Sequence, residues 1–520
     1  MAIESALKTR VKWAGSRVSR KSLSRLDRAL SAAVLAAWTV LIPGLVPDRI
    51  SDRGIFVSVA GRLLAGDTLY REVYDNKDPL FYYFVTLQLI LGPWAEVAAE
   101  ALLIASAAAA AYVLAASSAS RFAAAAVSCI AVPIILTGAF YIPGYTELPG
   151  IVITLLAIAA AASERPLLAG LCLGALPFLK FAFLPVALAG IGPFLLLRLP
   201  FSALLRLALG SFLSMAGIAS VLALRGELMP FLDTIKRNIA YAQGSLVGSK
   251  KGLAGISEHV RLVGVDRLLR EVLPIALAVV LSATLLFRKW TSNQVALASA
   301  AACAATLLAS LFVIFFAGFW SQHLQVLYIP AILAVIALAL VFDSLAEGRR
   351  LRMLGLVFLA GFLLSGSPFP VQYAERIDSA YASYGALREL APEARRLLAL
   401  GSSGEYARFG TNDDWGHAAG LRGWKLICPR FHQYFFQTPS LLNEVFECAS
   451  KAPALIISEH FEPNTVPSWN AFVARVEQLL KENYICDANT GLRVCKHRAP
   501  PETYESSYSA TKTAIPAAPL

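Results

Sequence analysis

The sequence has few charged residues for its length, because Asp, Glu, Lys and Arg make up 16% of it while hydrophobic residues make up 57%. A chain with this composition and a mean hydropathy of +0.60 cannot enclose its apolar residues in a water-soluble domain. The apolar residues occur in stretches of about 17 to 25, long enough for a helix to cross a hydrocarbon core of roughly 30 Å. The composition therefore predicts a polytopic α-helical membrane protein.

The sequence also lacks patterns typical of other protein classes. No small-residue cleavage site follows the first apolar run closely, so we expect a retained first helix and not a removed signal peptide. No internal repeat is found, and transporters usually show one. Basic residues do precede the first span, but the positive-inside rule accounts for them without nucleic acid. They are Lys8, Arg10, Lys12, Arg17, Arg20, Lys21, Arg25 and Arg28.

Hydropathy predicts about eleven spans, with residues 1–29 as a basic cytoplasmic tail and 30–369 as the transmembrane domain. Large external loops are expected at 48–93 and 225–271, and the apolar segment 79–92 is too short to span, so it is expected at the interface. The short-loop cations then fall on the cytoplasmic side. The predicted spans are 30–47, 94–117, 122–140, 147–162, 166–179, 181–197, 201–224, 272–287, 293–317, 325–342 and 353–369.

An odd number of spans places residues 370–520 outside the cytoplasm, where the sequence becomes more polar and its apolar runs shorten. We expect a soluble α/β domain there, with a flexible tail from about residue 499. Within it, 454–458 has the pattern of a buried strand, 469–481 that of an amphipathic helix, and 484–496 that of a hairpin.

Four cysteines lie in this C-terminal domain, where an oxidising compartment would allow two disulfides. Cys486 and Cys495 flank the predicted hairpin turn and are the favoured pair, which leaves Cys428 with Cys448. Three connectivities are formally open. A zinc site is the less favoured alternative, because close CxxC pairs are absent.

The polar residues of interest all lie on the predicted external face, and the loop after the first span carries most of them. It contains Asp52, then the run 63–66 (Leu-Leu-Ala-Gly) with Tyr70, then Lys77 followed by Pro79-Leu80 and Tyr82-Tyr83. This order resembles the first external loop of the GT-C glycosyltransferases, in the branch with protein O-mannosyltransferases, the lipid A aminoarabinose transferase and rhizobial lipopolysaccharide glycosyltransferases. That family often has Lys-Pro-Pro where this chain has Lys77-Asp78-Pro79.

The resemblance implies a GT-C fold, a polyprenyl-phosphate-linked sugar donor, an inverting mechanism and a catalytic acid in the first loop. It also implies a second acid at Glu147. Substrate-binding candidates from the matching loops are Asp75, Lys77, Tyr82, Lys180, Lys236, Arg237 and His323.

The chemistry of sugar transfer supports the same choice of residues. The acceptor hydroxyl needs a base, for which Asp52 is the candidate, and the departing phosphate needs cations such as Lys77 and Lys180. Each residue also has a structural interpretation: Asp52 as a helix N-cap, Glu147 as an acid favoured by a helix dipole, Lys77 as a snorkelling side chain, Tyr82 as an aromatic-belt residue.

The sequence therefore predicts a glycosyltransferase of the bacterial inner membrane that acts on an extracytoplasmic glycan, lipid or protein. A transporter or lipid flippase, and a non-catalytic envelope-assembly scaffold, are the alternatives. The sugar and the acceptor are not specified by the sequence. No cofactor is firmly implied, and dependence on a divalent metal ion stays open, since Asp52 and Glu147 alone do not decide it.

Overall fold

The structure of this chain of 520 residues is a computed structural model. The structure describes residues 25–47, 52–92, 94–116, 121–138, 140–243, 294–317, 321–345, 399–401, 403–410, 424–429, 439–457, 461–463, 466–487 and 493–498, together with single positions at 257, 273, 275, 277, 280, 378 and 397.

Apolar helices make up most of the first 345 residues. They are α1 (Arg25–Leu41), α2 (Asp52–Leu64), α3 (Pro79–Leu91), α4 (Ala95–Ala116), α5 (Arg121–Leu136, with a π turn at Val127–Ala131), α6 (Glu147–Ala162), α7 (Pro166–Leu179), α8 (Leu184–Arg198), α9 (Ser202–Leu224), α10 (Leu228–Gln243), α11 (Gln294–Ala317) and α12 (Tyr328–Leu345). Short 3-10 turns lie at Ile42–Leu45, Phe181–Phe183 and Ser321–Leu327.

Every predicted span that falls on described residues coincides with one of these apolar helices. Among the described residues, four segments are long and apolar enough to cross a membrane: Ala95–Ala116, Phe181–Arg198, Ser202–Leu224 and Leu297–Phe316. The remaining apolar helices are shorter. The predicted spans 272–287 and 353–369 lie largely outside the described residues, so the total of about eleven stays a prediction.

The helical core is built around α6, which is buried along nearly its whole length and packs against α4, α7 and α8. Alanine and glycine are frequent on these helices, and small side chains let helix backbones approach closely. Unlike α6, helix α9 is mostly exposed, and its exposed residues include large apolar side chains such as Leu205, Phe212 and Leu224. This chain is an integral membrane protein, and α9 presents an apolar face for lipid.

The contact between α7 and α9 depends on glycine at positions where the backbones nearly touch. A Cβ added at Gly210 would lie 2.2 Å from the carbonyl oxygen of Leu167, and one added at Gly174 would lie 2.3 Å from that of Ser211. Each of these separations is too short for a real contact, so any larger residue must push the helices apart.

The Gly210→Ala variant is therefore expected to lower the thermal unfolding midpoint of the protein in detergent, at a cost of about 1 to 3 kcal/mol from overpacking. Gly217→Ala is the matched control on the same helix, because a Cβ there would have no atom within 4 Å. It should leave the midpoint unchanged or raise it slightly, since Ala favours helix by about 1 kcal/mol. Equal midpoints for the two variants would contradict this packing.

The first loop folds into two short helices, α2 and α3. Pro79 begins α3, a position that tolerates proline because its missing N–H would be unpaired anyway. One face of α3 is buried through Phe81, Tyr82 and Val85, while Leu87 and Ile90 on the other face are exposed. At 13 residues it is too short to cross a bilayer comfortably, as the sequence predicted.

The C-terminal region contains a five-stranded sheet with strand order β2-β1-β3-β5-β4. Its strands are β1 (Gly404–Phe409), β2 (Trp424–Leu426), β3 (Ala454–Ile457), β4 (Tyr484–Cys486) and β5 (Arg493–His497), with helices α13 (Pro439–Ala449) and α14 (Pro467–Asn483). β1 is parallel to β2 and β3, whereas β5 is antiparallel to β3 and β4. The predicted buried strand, amphipathic helix and hairpin are β3, α14 and the β4–β5 pair.

Both disulfides tie elements of this sheet region together. Cys428 pairs with Cys448 at a Cα separation of 5.8 Å, and Cys486 pairs with Cys495 across the β4–β5 hairpin. These are the pairs that the sequence favoured. The domain boundary predicted near residue 370 and the tail from about 499 fall outside the described residues.

The sheet region packs directly on the first loop. The backbone N–H of Tyr74 donates to the carbonyl of Pro429 at 2.8 Å, and the guanidinium of Arg62 donates to the carbonyl of Cys428 at 3.0 Å. Residues of β1 and β3 also share one apolar cluster with α2, for example Tyr406 with Phe56. The first loop is therefore held between the helical core and the C-terminal sheet.

Candidate active site

Several of the predicted site residues lie at the ends of helices. Asp52 is the first residue of α2, and Glu147 is the first residue of α6. Lys77 and Asp78 directly precede α3, and Lys180 follows α7. An acid in the first turn of a helix is favoured by the helix dipole, and this accounts for the local placement of both acids. The helix dipole does not account for the burial of Glu147 or for the lysines whose charges act on both acids.

The best-defined contact is an ion pair between Lys180 and Glu147, with Nζ and Oε1 2.8 Å apart. The Glu147 side chain is 1% exposed and that of Lys180 15%. The Thr146 hydroxyl donates a second hydrogen bond to the Glu147 carboxylate at 3.1 Å. The charges of Lys77 and His323 also act on Glu147. The charges of three predicted site residues, Lys180, Lys77 and His323, therefore act on a fourth, Glu147.

Lys77 lies among four carboxylates. Burial acts to lower its pKa, but attraction from Asp52, Asp75, Glu147 and Asp78 outweighs burial and raises the pKa above its usual range. Its Nζ lies 5.8 Å from the centroid of the Phe56 ring. Lys77 therefore stays protonated, and its positive charge interacts with both predicted catalytic acids.

Asp75 and Tyr82 form a buried pair that shapes the loop. The Tyr82 hydroxyl donates a hydrogen bond to the Asp75 carboxylate, and Tyr82 is 0% exposed. Tyr82 is therefore not an aromatic-belt residue, because such a residue would place its hydroxyl at the water interface. The Tyr70 hydroxyl donates to the carbonyl of Lys77 at 2.6 Å, which fixes the backbone that carries this lysine.

Asp78, the residue that departs from the family's Lys-Pro-Pro pattern, belongs to the same cluster. Burial raises its pKa to about 6, while Lys180, the backbone N–H of Phe181 and Lys77 oppose that rise. Lys180 and Phe181 both act on the Asp78 carboxyl, so the first loop interacts with the turn that carries Lys180. No local pattern in the sequence indicates this interaction, because Phe181 is about a hundred residues further along the chain.

Lys236 and Arg237 lie on α10 and both make ion pairs. Lys236 is paired with Asp233 at 3.2 Å, and both side chains are mostly exposed. Arg237 is paired with Glu444 of α13 at 3.1 Å and so contacts the C-terminal domain. The next residue, Asn238, donates to the carbonyl of Asn76 at 2.9 Å, so α10 also lies against the loop that carries Lys77. A role of Lys236 and Arg237 as phosphate ligands stays a prediction.

Arg53, the residue after Asp52, belongs to a buried polar network that was not predicted from the sequence. Arg53 contacts Gln88 and Glu96, while Glu100 accepts hydrogen bonds from the Tyr141 hydroxyl at 2.5 Å and the Gly144 N–H at 3.1 Å. The acids Glu96 and Glu100 on the otherwise apolar helix α4 were the sequence signal that could have indicated this network. Charged side chains at such positions are costly unless they are paired.

Within the ranges that the structure describes, no group of three or more His, Cys, Asp or Glu side chains is arranged to hold a metal ion. The arrangement offers a half-buried carboxylate at Asp52, an ammonium group at Lys77 and a lysine–glutamate pair beside them. Such a set can accept a proton from a hydroxyl and can stabilise an anionic oxygen.

No family model matches the sequence, and no curated protein matches it. Among solved structures, the chain is similar to ArnT from Cupriavidus metallidurans in the apo state, with a TM-score of 0.57 and 13% identity over 91% of this chain and 98% of ArnT. ArnT bound to undecaprenyl phosphate gives a TM-score of 0.55 and 13% identity, over 90% of this chain and 97% of ArnT.

The chain is also aligned with the archaeal oligosaccharyltransferase AglB from Archaeoglobus fulgidus, whose structure holds an inhibitory peptide and a dolichol-phosphate, with a TM-score of 0.47 and 11% identity over 93% of this chain and 76% of AglB. Since the likeness to ArnT extends along almost the whole of both chains, this chain has the fold of ArnT. A fold of this kind is what the resemblance of the first loop to the GT-C glycosyltransferases implied.

Proposed function

We propose that this protein is an inverting glycosyltransferase that moves a sugar from a polyprenyl-phosphate-linked donor to an extracytoplasmic acceptor. The observation that carries the proposal is the position of Lys77, a partly buried cation under the combined attraction of Asp52, Asp75, Asp78 and Glu147. The fold supports it, because ArnT shares this architecture and has been solved with undecaprenyl phosphate bound.

In the proposed reaction Asp52 takes the proton of the acceptor hydroxyl as that oxygen bonds to the anomeric carbon of the sugar. The bond from that carbon to the phosphate oxygen breaks on the opposite face, so the configuration inverts. Negative charge then develops on the polyprenyl phosphate, where the ammonium groups of Lys77 and Lys180 stabilise it. Glu147 holds Lys180 in place through their ion pair.

We place the protein in a bacterial inner membrane with its N-terminus in the cytoplasm and the C-terminal domain outside. The two disulfides of that domain support this orientation, because disulfides persist in oxidising compartments and are rare in the cytosol. A lipid-linked donor also suits a site beside a membrane domain, since the prenyl tail stays in hydrocarbon while the phosphate lies at headgroup depth. The acceptor is a glycan, a lipid or a protein of the envelope.

The Lys77→Met variant is expected to bind undecaprenyl phosphate about 10 to 100 times more weakly than the wild type, because a hydrogen bond to a charged group contributes about 1.5 to 3 kcal/mol. Binding can be measured with purified protein in nanodiscs. Lys236→Met is the matched control, since it removes a lysine that is paired with Asp233 on an exposed surface. Equal losses in the two variants would contradict the assignment of Lys77.

The reaction itself is tested by incubating the wild type with undecaprenyl phosphate carrying mannose, glucose, galactose or glucosamine, with lipid and glycan extracted from envelope membranes as acceptor. A transferase releases undecaprenyl phosphate and labels the acceptor. Binding of undecaprenyl phosphate without release from any of these donors would point instead to a flippase and would overturn the proposal.

A further inference from the structure

We propose that Arg53 is a positioning residue that sets the distance and orientation between Asp52 and Glu147. The inference rests on the proposed function and extends it, because Arg53 touches neither donor nor acceptor in the proposed reaction. It would act only through the backbone segments that carry the two acids.

The Arg53 side chain is 1% exposed and reaches three separate parts of the fold. Its Nη2 donates to Oε1 of Gln88 on α3 at 2.6 Å and lies 3.4 Å from Glu96 at the start of α4. Its Nη1 donates to the backbone carbonyl of Gly144 at 3.3 Å. One guanidinium group therefore joins α2, α3, α4 and the segment before α6.

Chain connectivity makes these contacts relevant to the acids. Arg53 directly follows Asp52 in the first turn of α2, and Gly144 precedes Glu147 by three residues. A bond from Arg53 to the Gly144 carbonyl is thus a short bridge between the two acid-bearing segments. The Gly144 N–H is also held, because it donates to Glu100 at 3.1 Å.

The contact between Arg53 and Gly144 is close enough to require glycine. Gly144 has a φ of +78°, a conformation that L side chains rarely adopt, and a Cβ added there would lie 2.9 Å from Cδ of Arg53. The segment before Glu147 therefore rests directly on the arginine stem. Any shift of Arg53 has to move that segment or open a gap beneath it.

Stability alone does not explain a buried network of this kind. Burying an arginine and a glutamate costs desolvation energy that their attraction rarely exceeds, and apolar residues of similar volume often serve equally well. The planar fork of arginine does fix the directions of its hydrogen bonds, which lysine cannot do. A general base and the carboxylate that holds a phosphate-binding lysine need a fixed geometry, because misplacement by about 1 Å can cost roughly 100-fold in rate.

The first test compares turnover with binding in Arg53→Lys, using undecaprenyl phosphate loaded with whichever hexose the wild type transfers. We expect kcat to fall about 100-fold, while affinity for undecaprenyl phosphate stays within about twofold, since Lys77 and Lys180 are retained. Gly144→Ala should give the same pattern with Arg53 present, so the test does not depend on one variant folding. Arg62→Lys is the matched control on α2, because Arg62 contacts Asp67 and the carbonyl of Cys428 instead.

The second test places Arg53→Lys in the Asp52→Asn background. If Arg53 acts through Asp52, the second change should lower the residual rate by less than about twofold, because residues that act as a unit are strongly non-additive. A full 100-fold further loss, or a parallel loss of undecaprenyl phosphate affinity, would overturn the positioning role and leave the proposed function standing. A wild type that transfers no hexose would overturn the proposed function and this inference together. An Asp52→Asn protein with full activity would overturn the role of Asp52 as base, and with it this inference.

Discussion

Asp52→Asn is expected to lower the rate of sugar transfer by about 100- to 10,000-fold, the range that a positioned general base contributes. The amide has nearly the shape of the carboxylate but cannot accept the proton of the acceptor hydroxyl. Binding of undecaprenyl phosphate should persist, since Asp75, Asp78 and Glu147 still act on Lys77 and keep it protonated. Loss of one negative charge near an incoming phosphate should, if anything, tighten that binding.

The measurement is the release of undecaprenyl phosphate from its hexose-linked form, followed beside binding of undecaprenyl phosphate to the same preparation. Asp233→Asn is the matched control, because Asp233 is a mostly exposed carboxylate paired with Lys236. It should transfer sugar at the wild-type rate. An Asp52→Asn protein with unchanged turnover would contradict the role of Asp52 as the base, and another group would then have to accept the proton.

The helical part of the fold could be predicted because its signal is local. A run of apolar residues with a helix-breaking turn at each end indicates a membrane helix wherever its partners lie. The same holds for α3, which starts at Pro79 and is too short to span. In the C-terminal domain, the apolar run that forms β3 and the hairpin turn before β5 were local signals of the same kind.

The resemblance to the GT-C glycosyltransferases and the chemistry of sugar transfer singled out two acids and two lysines, Asp52, Glu147, Lys77 and Lys180, whose charges interact in the structure. Their catalytic roles stay a prediction. Arg53 could not be interpreted in this way, since its partners Gln88 and Gly144 lie 35 and 91 residues away. Asp78 was unexplained for the same reason. Its partners Lys180 and Phe181 belong to a turn between two other helices.

For Lys236 and Arg237, the sequence could not show which way the side chains face. A cation on an amphipathic helix can face a buried site or solvent, and the helical pattern alone does not distinguish them when the neighbouring elements are unknown. In the structure Lys236 is exposed, and Arg237 is paired with Glu444, a residue 207 positions further along the chain. The pairing of α10 with the C-terminal domain depends on tertiary packing that no local signal specifies.

Lys180→Met is expected to destabilise the folded protein by about 3 to 5 kcal/mol, because it leaves the charge of Glu147 buried without its partner. Glu147 is 1% exposed and its Oε1 lies 2.8 Å from Nζ of Lys180, so solvent cannot compensate for the loss. The charges of Lys77 and His323 act on Glu147 as well. The measurement is the thermal unfolding midpoint of the purified protein in detergent.

The double variant Glu147→Gln with Lys180→Met separates this effect from catalysis. Removing both charges removes the uncompensated carboxylate, and replacing both partners of a buried pair is often nearly neutral. The double variant should therefore recover most of the unfolding midpoint and still transfer sugar poorly, because the site then lacks both Glu147 and Lys180. A double variant as unstable as Lys180→Met would mean that the unpaired charge of Glu147 is not the cause of the instability.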